Sequence, residues 1–266
     1  TPFDATYEEP TEFAERIARN QQLLLKEESH FDKVVDPAAG SYYIENLTNS
    51  IAEEAWKQFL AIQEEGGMYE LVAAGKVQEA MAATLKARLS DVAKRKEVIL
   101  GSNQFPNFTE KAGKKIKEVA CGCCCAKPEN AIATLPVARA AEEFEALRLE
   151  TEAAKKQPVA FMLTIGNLAM RIARAQFSCN FFACAGYKVI DNNGFKSVAE
   201  GIKAARKAKA DIIVLCSSDD EYATYAPQAW LQLEDAKEVF VVAGAPACTE
   251  DLQKLGITNF INVRSN

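Results

Sequence analysis

The sequence predicts an α/β fold: a doubly wound, five-stranded parallel sheet of flavodoxin-like type over residues 157–266, preceded by a mainly helical segment. Three observations predict it. Five short apolar runs, "VAFMLTI", "YKVI", "DIIVLCS", "VFVVAG" and "NFINV", punctuate the C-terminal region. Helical stretches over 167–185, 195–208, 221–234 and 249–255 separate them, so strand and helix alternate. The right-handed rule for crossovers between parallel strands leaves few other topologies.

The elements before residue 157 read as helices and a linker. Pro10-Thr11 opens a helix whose apolar positions Phe13, Ile17 and Leu24 share one face at helical spacing. In a fragment that lacks the elements meant to cover it, that face is expected to pack against another chain or to be poorly ordered. "VVDPAAGSYYIENLT" (34–48) interrupts the helical pattern with Pro37 and Gly40. Ser50 with Glu53 fits a capping box, with Thr48 as a competing cap. An apolar stripe of Ala52, Ala55, Trp56, Phe59 and Leu60 follows and stops at Gly66-Gly67. A further helix runs through Leu85, Leu89 and Val92 and ends near "GSNQFPNF". Residues 110–156 read as a linker, closed by a charged helix with a narrow apolar edge at Phe144 and Leu147.

Composition excludes several classes of function. No apolar run approaches the roughly 18–20 residues of a bilayer span, so no membrane role is expected. The net charge of −6 resides in residues 1–156, and the remainder is neutral, so no basic stripe exists for nucleic acid. The N-terminus has no basic region followed by an apolar stretch, and Pro2-Phe3-Asp4 reads like the middle of a fold. The chain therefore reads as a fragment, natural or trimmed, of a longer cytoplasmic protein. Adjacent cysteines without a secretion signal point to a reducing compartment. Cys121, Cys123, Cys124 and Cys125 lack the second ligand couple that zinc or iron–sulfur sites require, and read as a thiol-rich linker. Cys179, Cys184, Cys216 and Cys248 sit in apolar surroundings and read as small core residues. The single histidine, His30, lies in charged "KEESHFDK" and leaves little scope for a general base.

In an open α/β sheet the ligand crevice lies outside the carboxyl ends of the strands. The loop after the first strand, "TIGNLAMRIARAQF" (164–177), carries no ionisable side chain until Arg171. The loop after the third, "SSDDEY" (217–222), fits helix capping most simply, with Mg²⁺ binding as the other reading. The loop after the fourth, "AGAPAC", is a tight turn or a place of close approach. A ligand loop without ligand chemistry is the unusual feature of the chain.

Residues 13–59, "FAERIARNQQLLLKEESHFDKVVDPAAGSYYIENLTNSIAEEAWKQF", closely resemble the adenosylcobalamin-dependent acyl-CoA mutases, above all methylmalonyl-CoA mutase. "RIARN" (16–20) and "DPAAGSYYIE" (36–45) are the most specific pieces. The resemblance implies that residues 1–110 are the helical end of a (β/α)₈ barrel with its connection. Residues 111–156 would be a linker with the Cys cluster and a surface helix, and 157–266 a degenerate cobalamin-binding-like domain. In the family, D-x-H-x-x-G follows the first strand, and its histidine replaces the cofactor's benzimidazole on cobalt. With Gly166 on a family glycine, the Asp falls on Leu168, the His on Met170 and the Gly on Ala173. A thioether is a poor substitute for that imidazole. The family's S-x-L keeps Ser217 and has Asp219 at the Leu position, and its Gly-Gly becomes Ala243-Gly244.

That pattern resembles the small, non-catalytic subunits of heterodimeric methylmalonyl-CoA mutases of propionate metabolism. It implies a partner large subunit that holds adenosylcobalamin and isomerises methylmalonyl-CoA and succinyl-CoA, with no catalytic, cofactor-binding or metal-binding residue on this chain. Two other readings stay open at this level. The chain is a mutase that binds corrinoid without a histidine, through Ser217 and Gly244, or it is a small-molecule or redox-sensing module.

Overall fold

A computed structural model describes residues 1–5, 8–111, 132–135, 138–233 and 237–265. The Cys121–Cys125 cluster lies outside the described residues. The chain divides into two units, one of residues 1–85 with 114–137 and one of residues 86–113 with 138–266.

The second unit holds the sheet. Strands β1 (Val159–Thr164), β2 (Lys188–Ile190), β3 (Ile212–Cys216), β4 (Val239–Ala243) and β5 (Phe260–Ile261) form one sheet in the order β2-β1-β3-β4-β5. Every pairing is parallel, with Phe161 opposite Ile190 on one side and Ile213 on the other. This is the flavodoxin-like order, and the five strand runs and four intervening helices fall where the sequence predicts them. The crossovers are α6 (Leu168–Cys184), α7 (Val198–Lys207), α8 (Tyr222–Leu233) and α9 (Thr249–Lys254).

The continuous apolar character of the strands follows from burial on both faces. Successive side chains alternate between faces, so Phe161, Leu163, Ile213, Leu215 and Val242 pack with Ile202 of α7 and Ala229 of α8. Ala160, Met162, Val214, Val241 and Ala243 point the other way, onto Ala175 and Phe182 of α6. Cys216 and Cys184 are buried, whereas Cys179 and Cys248 are only partly so.

Residues 86–113, which include the end of α4 (Lys76–Ala93), cluster with the sheet rather than with the preceding helices. The Arg95 guanidinium lies over the Phe181 and Phe177 rings of α6, 4.8 and 5.6 Å from their centroids. It also donates to the Ser265 carbonyl at 2.5 Å. In α5 (Glu142–Ala153) the buried residues are Arg148 and Thr151, not the anticipated apolar edge, and Leu147 is 43% exposed. Arg148 donates to the carbonyls of Asn107 (3.0 Å) and Glu110 (2.8 Å) and pairs with Glu152 at 3.5 Å, so α5 is anchored through a buried cation that meets two backbone oxygens and a carboxylate.

The first unit contains α1 (Glu12–Glu27), α2 (Tyr42–Glu64) and α3 (Met68–Ala73). Thr11 caps α1 through its side chain, which accepts from Ala14 N–H. Thr11 is held in turn by the Asp4 carboxylate, which accepts its N–H and hydroxyl at 2.9 and 2.8 Å. The expected capping box at Ser50 and Glu53 is not formed, because α2 already begins at Tyr42 and runs through both. Gly40, at φ 80°, completes the turn, and Glu45 reaches back to accept Gly40 N–H at 3.2 Å. No residue of α2 is buried within the chain, and Trp56 is 60% exposed. On α1, Phe13, Ile17 and Leu24 are exposed as well.

Candidate functional site

The crevice at the carboxyl ends of the strands is organised around Glu221, which the sequence reading did not single out. Its carboxylate accepts Asn167 N–H at 3.0 and 3.2 Å, the hydroxyls of Ser217 and Ser218 at 2.7 Å each, and Ser218 N–H at 3.3 Å. These donors hold its pKa down to about 2, the Asn167 amide first and the Ser218 hydroxyl next. The carboxylate rests on Gly166, where an added Cβ would come within 2.2 Å of Glu221 Oε2. Gly166 also sits at φ 80°, so a side chain is disfavoured there twice over. The two serine hydroxyls therefore serve Glu221 and do not cap α8. Asn167 is the cap that forms, on α6, its side chain accepting Met170 N–H at 3.1 Å.

Beside this cluster, Arg174 of α6 grips Asp219 through two hydrogen bonds of 2.9 and 3.1 Å. The pair lies over Gly244, where a Cβ would stand 3.1 Å from Asp219 Oδ1 and 3.1 Å from the Tyr222 ring. Tyr222 is fully buried, and its hydroxyl donates to the Ala243 carbonyl at 2.5 Å and accepts Ser217 N–H at 3.1 Å. Burial raises its pKa well above the usual phenol range. Arg171 turns along the loops to the carbonyls of Asn193 (2.9 Å) and Gly166 (3.3 Å). On the other side of β1, Asn192 binds Thr164 and the Met162 carbonyl, each at 2.5 Å.

The residues singled out from the sequence divide between this network and the surface. Ser217 is buried inside it, and Gly244 borders it. Leu168, Met170 and Ala173 occupy the first turns of α6 and are exposed, Leu168 at 60%. The polar groups of the strand ends thus bind one another, and the outward face of early α6 is apolar. Among the described residues, no group of three His, Cys, Asp or Glu stands close enough to hold a metal ion. His30 is exposed on the loop after α1.

The family model for methylmalonyl-CoA mutase matches residues 1–178. The chain belongs to the methylmalonyl-CoA mutase family. It is 62% identical, over all of its length, to a protein of Porphyromonas gingivalis named methylmalonyl-CoA mutase small subunit. A small subunit of the same name from Streptomyces virginiae is 34% identical over 88% of the chain. A Rhizobium meliloti protein named methylmalonyl-CoA mutase is 44% identical over 39% of the chain. The chain spans 43% of the length of the first relative and 37% of the second. Among the described residues, no helix is long and apolar enough to cross a membrane.

Proposed function

We propose that this chain serves a heterodimeric methylmalonyl-CoA mutase as its non-catalytic small subunit, a cytoplasmic partner that supports the large subunit without binding cobalamin. In this reading the large subunit holds adenosylcobalamin and interconverts methylmalonyl-CoA and succinyl-CoA. The small-subunit names of the most similar relatives support the assignment.

The observation that carries the reading is the chemistry of the strand-end crevice. Ligation of cobalt by the protein in this family's manner calls for an imidazole whose second nitrogen is held by an orienting partner such as a carboxylate. The corresponding positions hold Met170 and Leu168, and the nearby carboxylate, Glu221, is committed to Asn167, Ser217 and Ser218. The space above Gly166 is taken by that carboxylate. The residues present do not fit a histidine-ligated corrinoid, and no catalytic step is assigned to them.

A role in assembly also accounts for the helical unit. Apolar side chains exposed along α1 and α2, including Phe13, Ile17, Tyr43, Ile51, Trp56 and Phe59, are too many for a free surface. They are suited to burial against further polypeptide of the mutase assembly. The test is co-expression with a mutase chain that carries D-x-H-x-x-G. The two should co-purify, and the chain alone should give no base-off/His-on spectrum with cobalamin. A histidine-ligated spectrum from this chain alone would overturn the reading.

A further inference from the structure

A second concave site lies in the sheet unit, separate from the strand-end crevice. It is a groove of about 690 Å³ along β2, the edge strand of the sheet. One wall is the face of α6 that carries Gln176, Cys179 and Asn180, and the other is the segment from Phe105 to Phe108. Tyr187, Lys188 and Asp191 line it along the strand. That volume is in the range of small-molecule sites.

Three features set the groove apart from an ordinary surface depression. Phe105 has φ 52°, a conformation that a bulky side chain rarely adopts, and the groove's own Asn180 holds it there by accepting Phe105 N–H at 2.7 Å. Phe105 and Phe108 are 68% and 66% exposed although Pro106 between them is buried, so two rings stand at the rim. Several polar groups also have capacity to spare. Among the described residues, Asn180 uses only its oxygen, and Asp191 accepts only the N–H of its neighbour Asn192 at 2.8 Å. Gln176 and Lys188 make no side-chain hydrogen bond among the described residues.

We infer that this groove binds a nucleoside-type ligand, a flat heteroaromatic base carrying a hydroxylated sugar. Aromatic rings at the rim offer stacking faces to a base. The amide of Gln176 can pair with a base edge, where donor and acceptor stand side by side, and the Asn180 NH2, whose oxygen is held by Phe105 N–H, adds a donor. A carboxylate at the end of the second strand, where Asp191 stands, suits the adjacent hydroxyls of a sugar. Lys188 gives the mouth a positive charge for a phosphate on that sugar. Cys179 contributes no chemistry, because burial holds its thiol up at about 12.

Calorimetric titration of the full chain with adenosine, guanosine, cytidine, uridine, AMP and the apolar dye ANS tests the inference. At least one nucleoside should bind at a single saturable site. Asp191→Asn and Phe108→Ala should each weaken that nucleoside at least tenfold, and Lys188→Ala should reduce AMP to the affinity of adenosine. Thermal unfolding verifies that each variant folds, and Asp191→Asn, an exposed isosteric change, decides the matter if Phe108→Ala does not fold. Binding of ANS with no nucleoside, or nucleoside affinity unchanged in Asp191→Asn, overturns the inference.

Discussion

The Glu221 carboxylate accepts the backbone N–H of Asn167 at 3.0 Å, joining the loop after β3 to the loop after β1 across 54 positions of sequence. The bond closes the strand-end crevice from within. Because Glu221 also takes both serine hydroxyls, the loop conformation and the carboxylate charge depend on each other. Glu221→Gln keeps the shape and removes the charge. It is expected to cost about 1.5–3 kcal/mol in chemical denaturation, the range for hydrogen bonds to an ionised group.

The same carboxylate sets an acid limit. Its folded pKa of about 2 lies below the ordinary value of 4.5. The stabilisation is therefore complete above that ordinary value and is lost as pH falls from there through about 2. Unfolding free energies measured between pH 6 and 2.5 should decline in the wild type and decline less steeply in Glu221→Gln. Parallel pH profiles would remove Glu221 from the account.

Tyr222 ties the ends of β3 and β4 together through Ser217 N–H and the Ala243 carbonyl. Tyr222→Phe strands both buried backbone groups. A loss of about 1–3 kcal/mol is expected, in line with the cost of unsatisfied buried partners. Hydrogen exchange at Ser217 should accelerate more than that at Ile213 in mid-strand, because only Ser217 N–H loses its acceptor.

Restoring one ligand should not restore a site. Met170→His supplies an imidazole on the exposed side of α6, yet position 168 remains Leu and the space at Gly166 remains filled by Glu221. Visible spectra recorded with added cobalamin should stay those of the free cofactor. A base-off/His-on spectrum from this single variant would mean that the crevice opens readily.

Arg95 fastens residues 86–113 to α6 through two rings and to the segment after β5 through the Ser265 carbonyl. Arg95→Ala is expected to destabilise the chain by about 1–3 kcal/mol, from the lost cation–π and hydrogen-bond contributions. Thermal unfolding monitored by circular dichroism measures the change.

The sheet was legible because its strands are short, continuously apolar and separated by helical stretches, as "VAFML", "IIVLC" and "VFVVA" show. The start of α2 was not, because Pro37 and Gly40 mark a turn that ends at Ser41, while Ser50 imitates a cap inside the helix. Arg148 and Glu221 escaped notice for a different reason. The bonds that set their roles reach far along the chain, to Asn107 for one and Asn167 for the other, and the local spacing of Ser218 and Glu221, which fits a capping box, gives no sign of Asn167. The candidate site was readable only as missing chemistry at Leu168, Met170 and Ala173. What occupies the crevice instead became visible once the loops were brought together.

The most direct measurement is the cobalamin content of this chain co-purified with a D-x-H-x-x-G-bearing mutase chain, set beside that of each chain alone. The account predicts one cobalamin per pair, all of it carried by the partner. Two cobalamins per pair, or cobalamin retained by this chain alone, would contradict it.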